Sequence, residues 1–191
     1  MAFWTSGQIE PKRQFRFSVT IAGLADGGTF YARSATKPAF TVTTSEHKFL
    51  NHTFYYPGKV EWNEVTVSFV DPVSPDATGN VLTLLKASGY NVPSNLSEPG
   101  ALSTIGKANS TAALERVVIR GLDENGGALE EWVLNNPFIT GITLNDYTYD
   151  GEDLSTVDVT LRYDWASYII PADRAADTGG VDFVEPRLFT L

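Results

Sequence analysis

The chain has 191 residues, 14 Lys+Arg against 23 Asp+Glu for a formal net charge of −9, and no cysteine. That length suits one domain with a core of its own. The acidic balance argues against a protein that grips nucleic acid by neutralising phosphates, and the lack of cysteine excludes disulfides, thiolate metal sites and cysteine nucleophiles.

From Phe15 onward the dominant period is two. Phe15, Phe17, Val19 and Ile21 fall on one face and Arg16, Ser18 and Thr20 on the other, the pattern of a half-buried strand. A turn is expected at Ala25-Asp26-Gly27-Gly28, and shorter strands at Thr29–Ala35, Ala39–Thr44 and Lys48–Tyr56. The alternation returns over Glu61–Val70, with Val65, Val67 and Phe69 inward and Trp62, Glu64, Thr66 and Ser68 outward. It breaks over Ser74–Gly89, where Val81, Leu84 and Leu85 share a helical face. Ser74 is the expected N-cap there, Pro75 the first helical residue, and Lys86 and Gly89 mark the stop. Gly79 costs such a helix about 1 kcal/mol relative to Ala, so packing must hold it.

Residues 89–112 are rich in Ser, Asn, Gly and Pro and are expected to form a long loop. Strands follow at Leu114–Leu122, Ala128–Asn135 and Phe138–Leu144, the first two joined by the turn Asp123-Glu124-Asn125-Gly126-Gly127. The clearest alternation comes last, over Thr156–Trp165, where Val157, Val159, Leu161, Tyr163 and Trp165 oppose Asp158, Thr160, Arg162 and Asp164. The expected fold is all-β, a mainly antiparallel sandwich or barrel with one short flanking α-helix. It divides into an N-terminal arm (1–14), a β domain (15–165) and a C-terminal extension (166–191).

Little chemistry is available to this chain. His47 and His52, the only histidines, have an odd spacing that on one regular strand puts them on opposite faces, away from joint metal ligation. The run Asn145 to Asp153 starts like a calcium loop, yet its twelfth position, counted from Asp146, is Val157 where a bidentate Glu is needed. An acidic hairpin loop accounts for it better. Glu130 and Glu131 are adjacent, so on a strand they diverge and form no dyad with each other. Without a nucleophile elbow or a phosphate-cradling loop, no enzyme and no cofactor are expected. A carbohydrate-binding sandwich is the alternative from another class, with Trp4, Tyr55, Tyr56, Tyr147 and Tyr149 as stacking platforms.

Lys37-Pro38, followed by Tyr56-Pro57-Gly58-Lys59-Val60-Glu61-Trp62-Asn63-Glu64-Val65-Thr66-Val67-Ser68-Phe69, resembles the tail tube proteins of contractile-tailed bacteriophages. Arg120-Gly121-Leu122, then Trp132, an acidic loop and the closing run Val157 to Trp165 extend the resemblance over Phe15 to Trp165. It implies a β-barrel-like sandwich with one flanking helix, assembled as stacked hexameric rings that form a DNA conduit inside a contractile sheath. The implied partners are other copies of the chain, the tail sheath protein, the baseplate tube initiator and the tape-measure protein, with DNA as a transient, non-specific passenger. The implied location is the virion tail tube, after assembly in the host cytoplasm. The inner tube of a phage-tail-like bacteriocin, a contractile injection system or a type VI secretion system is the alternative within this fold.

No apolar run approaches the ~20 residues of a membrane span, and Met1 to Gln8 resembles no secretory leader, so no membrane binding is expected. Two surfaces are expected to carry the assembly. One is a hairpin over Lys48–Lys59 that contacts the next ring through Phe49, Leu50, Phe54, Tyr55 and Tyr56, since aromatics favour interface centres. The other is the C-terminal extension, docking through Phe183, Val184, Leu188 and Phe189.

Overall fold

In the computed structural model, residues 11–24, 32–91 and 103–171 are described. Among them the alternating segments become ten strands: β1 (Phe17–Ile21), β2 (Ala32–Ala35), β3 (Phe40–Phe49), β4 (His52–Trp62), β5 (Val65–Val70), β6 (Val117–Leu122), β7 (Ala128–Asn135), β8 (Phe138–Leu144), β9 (Thr156–Arg162) and β10 (Trp165–Ile169). Two helices, α1 (Ala77–Ala87) and α2 (Lys107–Leu114), lie between β5 and β6. All pairings are antiparallel, and they build two four-stranded sheets, ordered β1-β6-β7-β10 and β2-β5-β9-β8, plus the separate ribbon β3-β4.

The core lies between the inner faces of the two sheets. Val19 and Ile21 of β1, Val117 and Ile119 of β6 and Leu134 of β7 meet Val65, Val67 and Phe69 of β5 and Val157, Val159 and Leu161 of β9. Period-two alternation in a half-buried sheet requires this, because a one-residue slip would turn each apolar set to solvent. Val81 and Leu84 of α1 and Leu114 of α2 complete the core. Where β1 ends, the backbone passes so close to α2 that a Cβ on Gly23 would stand 1.9 Å from the Ala113 carbonyl oxygen, and only glycine fits there.

Several expectations are corrected. The second helix falls inside the segment expected to be a loop, and Leu114, expected in a strand, ends that helix. The N-cap of α1 is Asp76, not Ser74: its carboxylate accepts from the Gly79 N–H at 2.9 Å. Asp71 takes the Ala77 and Thr78 N–H groups at 3.1 and 3.2 Å, so two carboxylates serve the positive end of the helix. Glu61–Val70 is not one strand, because the chain leaves the ribbon after Trp62 and enters a sheet at Val65. Trp62 accordingly packs on the core, its ring 5.9 Å from that of Tyr163.

Thr156–Trp165 also divides, at Tyr163-Asp164, where the chain crosses from one sheet to the other. Val157, Val159, Leu161 and Tyr163 are buried as expected, whereas Trp165, beyond the crossing, is exposed. The core strands therefore do not end at Trp165; β10 pairs with β7 through Ile169. The crossing from β7 to β8 and the crossing from β9 to β10 meet at this corner. The Asp164 N–H donates to the Asn135 carbonyl at 3.0 Å, and the Asp164 carboxylate accepts from Asn136 and Lys107 at 2.8 and 2.7 Å. Those two hydrogen bonds hold the Asp164 carboxyl below its ordinary value.

Candidate assembly surface

The ribbon β3-β4 shares no ladder with either sheet. With ten and eleven residues in its strands, it extends ~33 Å at the usual rise, and every residue from Phe40 to Glu61 is exposed. A lone two-stranded ribbon is marginal in water. Across its ladder Phe49 pairs with His52, His47 with Phe54, Glu46 with Tyr55 and Ser45 with Tyr56. Phe49, Phe54 and Tyr56 thus share one face, Tyr55 points to the other, and Leu50 caps the tip, 88% exposed and with a left-handed φ of 52°. That backbone region is strained for a branched apolar residue, and such positions cluster where function depends on them.

The ladder also puts both histidines on the Phe49 face, which corrects their expected separation: they sit on facing strands rather than on one. Among the described residues no group of three or more His, Asp or Glu is placed to hold a metal ion. Nearer its base the ribbon carries a bulge, with one extra residue on β4 opposite Thr43. Thr43 Oγ1 accepts from the Lys59 N–H at 2.8 Å there, and such bulges bend a strand and re-aim what lies beyond.

Below the bulge the ribbon meets the β1-β6-β7-β10 sheet. Phe40 and Trp62 stack with ring centroids 5.2 Å apart, Trp132 and Tyr168 at 4.8 Å, and the two pairs wall an apolar groove of about 460 Å³ completed by Val60 and Ala166. Glu130 closes the groove at its polar end. Its side chain is only 5% exposed, and its carboxylate accepts from Lys12, from Lys37 and, at 3.4 Å, from the Tyr168 hydroxyl. Burial pushes this carboxyl up, but the two lysine hydrogen bonds and their charges outweigh it, leaving it below its ordinary value. Lys12 is the counterpart: burial pulls it down, Glu130 more than restores it, and it ends above its ordinary value. Glu130 thereby ties the segment before β1 and the lead into the ribbon to β7. Glu131 points away and pairs with Arg120 at 2.7 Å, so the two glutamates diverge as expected.

Tyr147 and Tyr149 lie fully exposed in the loop between β8 and β9, with Asp146 and Asp153 around its concave side. Tyr55 and Tyr56, on opposite faces of the ribbon, form no common stacking platform, and Trp4 lies outside the described residues. So do Phe183, Val184, Leu188 and Phe189, and the turn from Ala25 to Gly28. Phe40, Val42 and Val60, apolar and exposed at the ribbon base, extend the expected surface. Their signal was the pair of strand-forming runs Phe40–Thr44 and Thr53–Tyr56 on either side of Leu50-Asn51, which the structure joins into one hairpin rather than two short strands.

No protein-family profile matches this sequence, and no curated protein matches it. Solved structures do match. A chain of the sheath–tube complex of the PVC extracellular contractile injection system, in its extended state, superposes with a TM-score of 0.61 at 15% identity, covering 87% of this chain and 99% of that one. A chain of the anti-feeding prophage cap structure, the cap that terminates its tube, superposes at 0.59 and 17% identity, over 85% of this chain and 93% of that one. This chain has the tail-tube fold. Within the tail-tube fold of this chain, the two sheets are the frame from which the long ribbon projects.

Proposed function

We propose that this chain is the structural, non-enzymatic subunit of a phage tail tube, whose copies close into hexameric rings that stack inside a contractile sheath and form a DNA conduit. The observation that carries the proposal is the ribbon β3-β4, exposed on both faces and apolar on both, a state that a lone subunit in water stabilises poorly. The ends of the two sheets, β1 and β10 in one, β2 and β8 in the other, offer edges on which neighbours could continue the ladders. A net charge of −9 suits a conduit through which DNA must slide without binding. The partners in this proposal are other copies of the chain, the sheath protein, the baseplate tube initiator and the tape-measure protein.

A second reading is the inner tube of an extracellular contractile injection system. It is favoured by the similarity to chains from the anti-feeding prophage and the PVC system, whose structures include a baseplate, a sheath–tube complex and a cap. The two readings share the assembly and differ in cargo. Negative-stain electron microscopy of the purified full chain tests the assembly. Rings or tubes are expected, and a strictly monomeric species at high concentration over a range of salt overturns both readings.

A further inference from the structure

The apolar groove at the ribbon base has no counterpart among the described residues to fill it. Phe40 and Val60 on one wall are 56% and 55% exposed, and Trp62, Trp132 and Tyr168 lie beneath. We propose that the groove is the seat of this chain's own segment Val181-Asp182-Phe183-Val184-Glu185, which docks beside β10 on its own subunit, independently of whether the subunits build a tube.

Three observations converge on that occupant. The first is where the chain leaves the described residues: Ala166 and Tyr168 of β10 form one wall of the groove, and the described residues end three positions on, at Pro171. Residues 172–180, at about 3.3 Å each, can reach up to ~30 Å, and they include the Gly179-Gly180 pair that lets a chain reverse. The segment therefore begins within reach of the groove.

The second is charge. Beside the groove, and sharing Glu130 and Trp132 with it, opens a cleft of about 480 Å³ lined by Lys12, Arg13, Arg16 and Lys37. This is a concentration of positive charge on a chain of net charge −9. Lys12 and Lys37 pair with Glu130, yet their side chains remain 58% and 61% exposed, so both can meet a second carboxylate at the rim. The proposed segment brings two: Asp182 and Glu185 bracket Phe183 and Val184.

The third is size. A groove of about 460 Å³ takes two or three large side chains of one extended segment. A folded partner, by contrast, covers about 800 Å² on each side of a stable interface.

Because the chain has no cysteine, a pair of introduced thiols reports the docking directly. In dilute full chain carrying Val60→Cys and Phe183→Cys, an intramolecular disulfide is expected to form about tenfold or more faster than in a Val73→Cys, Phe183→Cys control, because docking raises the effective concentration. Equal rates overturn the proposal. Disulfide-linked dimers in place of the intramolecular product also overturn it, and assign the groove to a neighbouring copy. Adding Asp182→Lys with Glu185→Lys is expected to slow closure, and an unchanged rate overturns the charge assignment. A second measurement avoids altering the ribbon: in full chain bearing Val181→Ser and Phe183→Ser, amide exchange at Val60–Trp62 and along β10 is expected to accelerate several-fold. Unchanged exchange in that variant overturns the docking.

Discussion

Gly121 on β6 faces Glu130 on β7 across the ladder, and a Cβ at Gly121 would stand 3.0 Å from Glu130 Cγ. Glycine makes room here for a carboxylate that has nowhere else to go, since Lys12, Lys37 and Tyr168 all hold it. Gly121→Ala is therefore expected to destabilise the fold by about 1–2 kcal/mol through overpacking. The better strand propensity of alanine, about 0.5–1 kcal/mol, offsets only part of that. Urea unfolding measures the outcome, and an unchanged midpoint would mean that the Glu130 side chain moves aside freely.

Glu130 also sets a pH dependence. Its carboxyl lies below the ordinary value of 4.5 in the folded protein. A depressed carboxyl stabilises the fold fully above the unfolded value, and that contribution fades as pH falls through the folded one. Urea midpoints of the wild type are expected to decline below about pH 4.5. Glu130→Gln should cost about 2 kcal/mol at neutral pH, the scale of hydrogen bonds to charged groups, and should flatten that decline. A variant that declines as steeply as the wild type would shift the acid sensitivity to other carboxylates, Asp164 first.

On the ribbon, Phe54 and Tyr56 share a face and Tyr55 points away. Phe54→Ser with Tyr56→Ser is expected to leave unfolding unchanged within about 0.5 kcal/mol, because both side chains are exposed, while tube elongation is lost. Tyr55→Ser alone should impair elongation less. Tubes of normal length from the double variant, seen by electron microscopy, would remove the Phe54 face from the proposed contact.

β10 completes one sheet, and Tyr168 reaches Glu130 from it. A chain ending at Trp165 loses Ala166 from the core and the Tyr168 ring from Trp132, and leaves β7 as a bare edge. It is expected to lose its near-UV circular dichroism and its cooperative thermal transition, whereas a chain ending at Pro171 keeps both. A wild-type transition in the shorter chain would show that β10 contributes nothing to the core.

The strands were legible in the sequence because period-two burial is a local pattern: Val65, Val67 and Phe69, like Val157, Val159 and Leu161, carry their inward direction in their spacing. So was the turn from Asp123 to Gly127, where the Asp123 carboxylate accepts from the Asn125 and Gly127 N–H groups at 2.8 and 2.7 Å. The aromatic density around Phe54 marked the ribbon without giving its extent. What only the tertiary structure decided is where the chain changes sheet. Alternation runs unbroken through Tyr163-Asp164 in the sequence, but the direction a side chain faces depends on which sheet holds it, so Trp165 comes out exposed. The same holds for α2, whose short polar sequence has little helical signal and which rests on Leu114 in the core and on Gly23 letting the backbone close. Glu130 is the plainest case. Nothing near it in sequence announces a buried carboxylate, because the lysines that make its burial affordable stand at positions 12 and 37, brought to it only by the fold.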